Sequence, residues 1–196
     1  MSASLTTLVI SSQERVKELR KSADPAALLA AAESAANAIE SRVGEGATDL
    51  DREALIAVKR FTYNAAADCW PGWSVPTTAP DPQILAAGLN MARRSSGLVR
   101  KLGLGPIQEG TGTWLVGAFE LALGRYAEAR EAFTQARESY IAGEAPGLVL
   151  LTEGYMAIVD GDVESVCARI AVGGFEDGSE WIEQLRTAAK VFRRQK

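Results

Sequence analysis

The amino-acid sequence predicts an all-α fold of about nine helices, folded back on one another as antiparallel hairpins. Three observations predict it. Alanine is abundant and runs of β-branched residues are scarce, which favours helices because alanine loses no side-chain entropy on ordering. Apolar residues recur at helical spacing, and no segment sustains an alternation of period two. Proline and glycine punctuate the chain at intervals of one helix length, so the connections are short and sequential helices are antiparallel neighbours.

Taken in order, the first helix is expected over about residues 4 to 22, with Ser11 and Glu14 offering an alternative capping-box start. Asp24-Pro25 begins the second, because Asp caps and Pro needs no N–H in the first turn; it runs from Ala26 to Arg42 and Gly44-Glu45-Gly46 ends it. The third covers about 49 to 68, with Leu50, Ala54, Val58, Phe61 and Ala65 as its apolar stripe. Trp70-Pro71-Gly72-Trp73 and a loop holding Pro76, Pro80 and Pro82 form the longest non-helical stretch. Asp81-Pro82 then repeats the cap chemistry of Asp24-Pro25 and opens a helix to about Leu102. The fifth helix spans about 107 to 123. The sixth carries Tyr126, Ala129, Phe133, Ala136 and Tyr140 on one face. A seventh ends near Asp160-Gly161, an eighth covers about 163 to 172, and a last one, about 178 to 192, shows Trp181, Leu185, Ala188 and Phe192 on one face.

The 196 residues suffice for one all-α domain, 1–196, with a core that needs no disulfide or metal staple. Apolar residues make up 47% and charged residues 23%, as in soluble globular proteins. The net charge of −4 argues against nucleic acid as a partner, since phosphate neutralisation dominates that affinity. No stretch approaches the length of a membrane span, and the N-terminus lacks the basic region of a signal peptide, so a cytoplasmic protein with no membrane partner is expected. The two cysteines, Cys69 and Cys167, lie far apart without CxxC spacing, which gives a zinc or dithiol site no support. The chain has no histidine. That removes the commonest general base and metal ligand. No P-loop, dinucleotide fingerprint or acidic metal cluster appears, so no catalytic residues, no metal and no cofactor are expected.

One internal offset stands out. Gly117 and Gly154 are 37 residues apart, as are Gly124 and Gly161, Tyr126 and Val163, Ala129 and Val166, and Phe133 and Ile170. Two successive helical hairpins, each burying its apolar side against the next, account for it. The first copy resembles the tetratricopeptide repeat family over about residues 111 to 172. Gly117 matches the small residue where the first helix touches the second, Gly124-Arg125-Tyr126 the turn, and Ala129, Phe133 and Ala136 the small, large and small residues of the second helix. The sequence departs from the family pattern in four places, one of them a closing proline that comes late, at Pro146. The family's tryptophan falls on Thr113, with Trp114 one position later; its tyrosine position is Glu120; and Val166 replaces the small alanine of the second copy. The resemblance implies a short tetratricopeptide-like superhelix with hairpins at about 111–143 and 148–172. A degenerate hairpin at about 49–102 has Gly88, Ala92 and Ser95 as its small residues, and the last helix acts as a cap.

The resemblance also implies a protein-binding module with a groove lined by the first helix of each hairpin. Carried across, the groove residues are Trp114, Ala118, Leu121, Leu151, Tyr155 and Ile158, for a protein or peptide partner. The same residues would be core if the N-terminal helices covered that face. Trp70 and Trp73 read either as a local cap on the third and fourth helices or as an exposed aromatic anchor for a partner. Arg93, Arg94, Arg100 and Lys101 repeat at seven residues and share a face; Lys190, Arg193, Arg194 and Lys196 end the chain. Both groups are solvated faces, or else sites for an acidic or phosphorylated partner. A helical bundle with an apolar ligand pocket and a structural homo-oligomer are the alternatives to the groove-bearing module.

Overall fold

The helices start and stop where local chemistry dictates. In the structure, a computed structural model that describes residues 4–22, 24–44 and 48–192, nine α-helices follow one another among the described residues. They are α1 (Leu5–Leu19), α2 (Pro25–Glu40), α3 (Asp49–Cys69), α4 (Pro82–Leu102), α5 (Pro106–Ala122), α6 (Tyr126–Ala142), α7 (Pro146–Asp160), α8 (Val163–Val172) and α9 (Gly178–Phe192). The Asp24 carboxylate accepts from the Ala27 N–H at 3.0 Å, and Asp81 accepts from the Gln83 N–H at 2.8 Å. Each supplies one of the partners that a helix start lacks. Thr48 and Asp51 form a reciprocal capping box on α3. The first helix begins from Ser4, whose hydroxyl caps Thr7, rather than from Ser11. Gly103 and Gly161 end α4 and α7 in the left-handed conformation that glycine adopts without a Cβ penalty. Glu45 and Gly46, part of the expected stop after the second helix, lie outside the described residues, as do Arg193, Arg194 and Lys196.

Every helix packs on the next one along the chain, and alternate helices meet as well: α1 with α3, α2 with α4, α5 with α7, and α7 with α9. The contact between α5 and α6 is the most extensive. Its seam depends on Gly117, where a Cβ would lie 2.8 Å from the Phe133 ring and 3.2 Å from the Ala132 methyl. The second copy uses its glycine differently. Gly154 faces α9, where a Cβ would meet Leu185 Cδ1 at 2.4 Å. The repeat thus holds for helix type and turn position, while the two glycines admit different neighbours. Gly88 of α4 admits the Phe119 ring of α5, so the small residue expected for the degenerate hairpin does mark a seam. No helix among the described residues is long and apolar enough to cross a membrane.

Ion pairs stitch the stack between helices. Arg94 of α4 reaches Glu40 at 2.9 Å and Asn37 at 2.8 Å on α2. Glu153 of α7 is held by Arg137 of α6 at 2.7 Å and Arg169 of α8 at 2.8 Å, so one carboxylate joins three helices. Burial alone would raise the Glu153 pKa, but the two guanidinium hydrogen bonds and their charges outweigh it and hold the group below its ordinary 4.5. A lowered folded-state pKa contributes stability above the unfolded value, and that contribution disappears as pH falls through the folded one. Glu153→Gln is therefore expected to cost about 1 kcal/mol at pH 7 and progressively less below pH ~4.5. Urea unfolding at pH 7 and at about pH 3 checks it, since a pH-independent loss would mean the pair is not what the charge contributes.

Candidate functional site

The site expected from the sequence is the face shared by α5 and α7. Helical spacing puts Trp114, Ala118 and Leu121 on one side of α5, and Leu151, Tyr155 and Ile158 on one side of α7. The structure buries all six, and Trp114 and Tyr155 meet across the two helices. The expected groove is filled. Its cover is not the N-terminal helices but the segment that follows α3, together with α9.

The filling is aromatic. After α3 the chain turns through Trp70 into a single 3-10 turn, Pro71–Trp73, and this turn packs on α9 and α5. The Trp70 ring lies 5.7 Å from Trp114, 5.8 Å from Tyr155 and 5.7 Å from Phe192, centre to centre. Trp114 meets Tyr155 edge-on at 5.1 Å, and Phe133 of α6 stands 5.5 Å behind Tyr155. Such spacings fall within the range of favourable ring pairs. The Trp70 Nε1–H donates to the Ala118 carbonyl at 2.9 Å, which fixes the ring across α5. Gly72 makes the turn possible, because a Cβ there would lie 2.2 Å from Trp70 Cη2. Gln184 of α9 donates to the Tyr155 hydroxyl at 2.6 Å, and burial raises that phenol well above its ordinary value. Trp114 Nε1 is buried with no hydrogen-bond partner.

The two tryptophans of the turn separate in role. Trp70 is 2% exposed, so the reading of it as an exposed anchor is corrected: it is core. Its backbone ends α3, with the Trp70 N–H donating to the Ala67 carbonyl, while its ring reaches beyond the local turn to partners on α5, α7 and α9. Trp73 is 45% exposed and sits at the mouth of the filled groove, 4.8 Å from Trp70 and 6.1 Å from Trp114. Its Nε1–H donates to the Ala67 carbonyl at 2.6 Å. Val75, two residues on, is exposed as well.

Beside the turn, on its other side, lies an open cleft of about 470 Å³ whose walls include Arg20, Asp68, Cys69, Pro71, Pro76 and Ile84. Arg20 and Asp68 pair across it. Burial, with the Asp68 charge beside it, pushes the Cys69 thiol up to about 12, so it carries no appreciable thiolate at neutral pH. Cys167 is buried. Among the described residues no group of three or more acidic or cysteine side chains is placed to hold a metal ion.

The basic residues of α4 divide. Arg94 is taken up by α2, as described, and Arg93 reaches Glu120 of α5 at 2.5 Å. Glu120 is buried and also meets Arg125 at 3.3 Å. Arg100 and Lys101 are exposed. Nothing in the sequence announced the Glu120 cluster except the departure from the family's tyrosine at that position. Comparison with family models, with curated proteins and with solved structures finds no match to this chain.

Proposed function

We propose that this chain is a tetratricopeptide-like interaction module without catalysis of its own, which takes an apolar segment of a partner protein at the mouth of its aromatic cluster. The repeat of hairpins α5–α6 and α7–α8 supports the family likeness, with Gly117 seating Phe133 and with glycine turns at Gly124 and Gly161. The observation that carries the reading is Trp73. A large ring stands half exposed, and its orientation is already set by the Ala67 carbonyl and by two neighbouring rings, one edge-on and one tilted. An aromatic group that needs no ordering on binding is what a binding hot spot requires. The seam between α5 and α7, which the family would leave open, is occupied in this chain by its own Trp70. The partner surface therefore moves to the rim.

Trp73→Ala is expected to leave the fold in place, because the ring is half exposed, and to weaken partner capture about thirtyfold, the loss of a ~2 kcal/mol hot spot. Affinity capture from the native host with wild type and variant side by side, read by mass spectrometry, tests this. Proteins retained equally by both would remove Trp73 from the interface and the reading with it. A second reading is self-association through the groove between α1 and α3, where Ile10 is 52% and Leu50 47% exposed. Sedimentation at micromolar concentration separates the two, since a monomer is incompatible with self-association.

A further inference from the structure

A second cleft lies on the far side of α5 from the aromatic cluster, and its lining has a single chemical character. Helices α4, α5 and α6 enclose about 370 Å³ between Arg93, Ser96, Arg100, Thr113, Val116, Ala132 and Gln135. Every polar residue of that set can donate a hydrogen bond, and none is a carboxylate. Arg93, Ser96 and Arg100 lie at i, i+3 and i+7 on α4, so one helix face carries both guanidinium groups.

Two further observations point to a ligand. First, the two hydroxyls that line the cleft have no partner within the described residues. Of the buried hydroxyls outside the cleft, three donate to backbone carbonyls, Thr62 to Val58 at 2.8 Å, Ser95 to Lys59 at 3.0 Å and Thr152 to Leu148 at 2.8 Å, and Ser12 of α1 does not. Ser96 and Thr113 are also buried, yet neither hydroxyl engages another described residue. Second, the charge is in excess. Glu120, seven residues from Thr113 on the same face of α5, is met by both Arg93 and Arg125, and Arg100 has no acidic partner among the described residues. Two guanidinium groups thus share one carboxylate, and the third, Arg100, is unmatched among the described residues. Arg93 spends only Nη2 on Glu120, and its remaining donors are unused. Gln135 adds an amide, although its Nε2 also reaches Glu131 at 3.3 Å.

We infer that this cleft binds the phosphoryl group of a phosphate monoester, held by the guanidinium groups of Arg93 and Arg100 and by the hydroxyls of Ser96 and Thr113. A tetrahedral dianion matches two cations and offers enough oxygens for all four donors. The site is independent of Trp73 and does not rest on the interaction-module reading. A phosphorylated side chain of a protein and a small free phosphate share this chemistry.

The test is a titration of the full chain with inorganic phosphate and, separately, with N-acetyl-O-phosphoserine amide, followed by the arginine Nε–Hε resonances in NMR spectra. Saturable shifts at Arg93 and Arg100 are expected. Tighter binding of the phosphoserine probe identifies a modified side chain as the source, and equal or tighter binding of inorganic phosphate identifies a free small anion; either supports the site. Arg100→Gln, at an exposed position, is expected to weaken the better probe at least about tenfold, and Lys101→Gln, outside the cleft, by less than about twofold. Thr113→Val removes one hydroxyl at constant shape and is expected to weaken binding about threefold. Equal losses for Arg100→Gln and Lys101→Gln would reduce the effect to diffuse attraction and overturn the site. So would the absence of saturable shifts with both probes.

Discussion

Trp70→Ala is expected to destabilise the protein by about 4 kcal/mol, which for a domain of ordinary stability leaves little margin above unfolding. The ring is 2% exposed and contacts four aromatic side chains, from its own turn and from α5, α7 and α9. Truncation removes those contacts and the donor to the Ala118 carbonyl, and it leaves a void that four rigid rings cannot close by small shifts. Trp70→Phe keeps most of the stacking and forfeits the N–H, and its cost is expected to be about 1–2 kcal/mol. Urea unfolding followed by far-ultraviolet circular dichroism measures both. A Trp70→Ala loss under ~1.5 kcal/mol would show that the ring is not packed as described.

A pair of glycines on one helix gives the second large effect, because the two should respond with opposite signs. Gly→Ala inside a helix ordinarily stabilises by about 1 kcal/mol, as the backbone loses less freedom on folding. At Gly97 of α4 nothing lies within 4 Å of the place an alanine methyl would take, so Gly97→Ala should show that gain. Gly88, on the same helix, would place its methyl 2.3 Å from Phe119 Cε1 and 2.4 Å from Cζ. Phe119 is fully buried and cannot swing away, so overpacking of about 2–3 kcal/mol outweighs the helix term, for a net loss of about 1–2 kcal/mol. Thermal unfolding of the two variants beside wild type decides it. Stabilisation by Gly88→Ala would mean that α4 and α5 do not approach as closely as this.

The helix pattern was legible because its determinants are local. Asp24 and Asp81 cap their own helices within a few residues, and glycine stops act on the turn that contains them. Apolar periodicity likewise revealed which face of α5 and α7 is sticky. It could not reveal what lies on that face, since an apolar stripe packs equally well against a neighbouring helix, a partner or a distant turn. Here the cover comes from Trp70, separated from Trp114 by the whole of α4, and from Phe192 of the last helix. The tetratricopeptide resemblance pulled the reading towards an open groove, and the segment that departs from the repeat is the one that fills it. The same limit applies to Gly154. Its match to Gly117 predicted a small residue, correctly, but its neighbour proved to be Leu185 of α9 and not the counterpart of Phe133. The α4–α5–α6 cleft was only half visible: the seven-residue spacing of Arg93 and Arg100 showed the shared face, while the hydroxyls that line the cleft with them required coordinates.

Stacks in which each unit touches only its sequential neighbours come apart one unit at a time, starting from the ends. The turn at Pro71–Trp73 breaks that rule by binding the middle of this chain to its final helix. Fraying of α9 exposes Trp70 and Tyr155 to water at once, so the terminal helix cannot detach cheaply, and melting becomes all-or-none over most of the length. The same long-range closure must be formed during folding before it returns any stability, which makes this protein a slower folder than an open array of equal size.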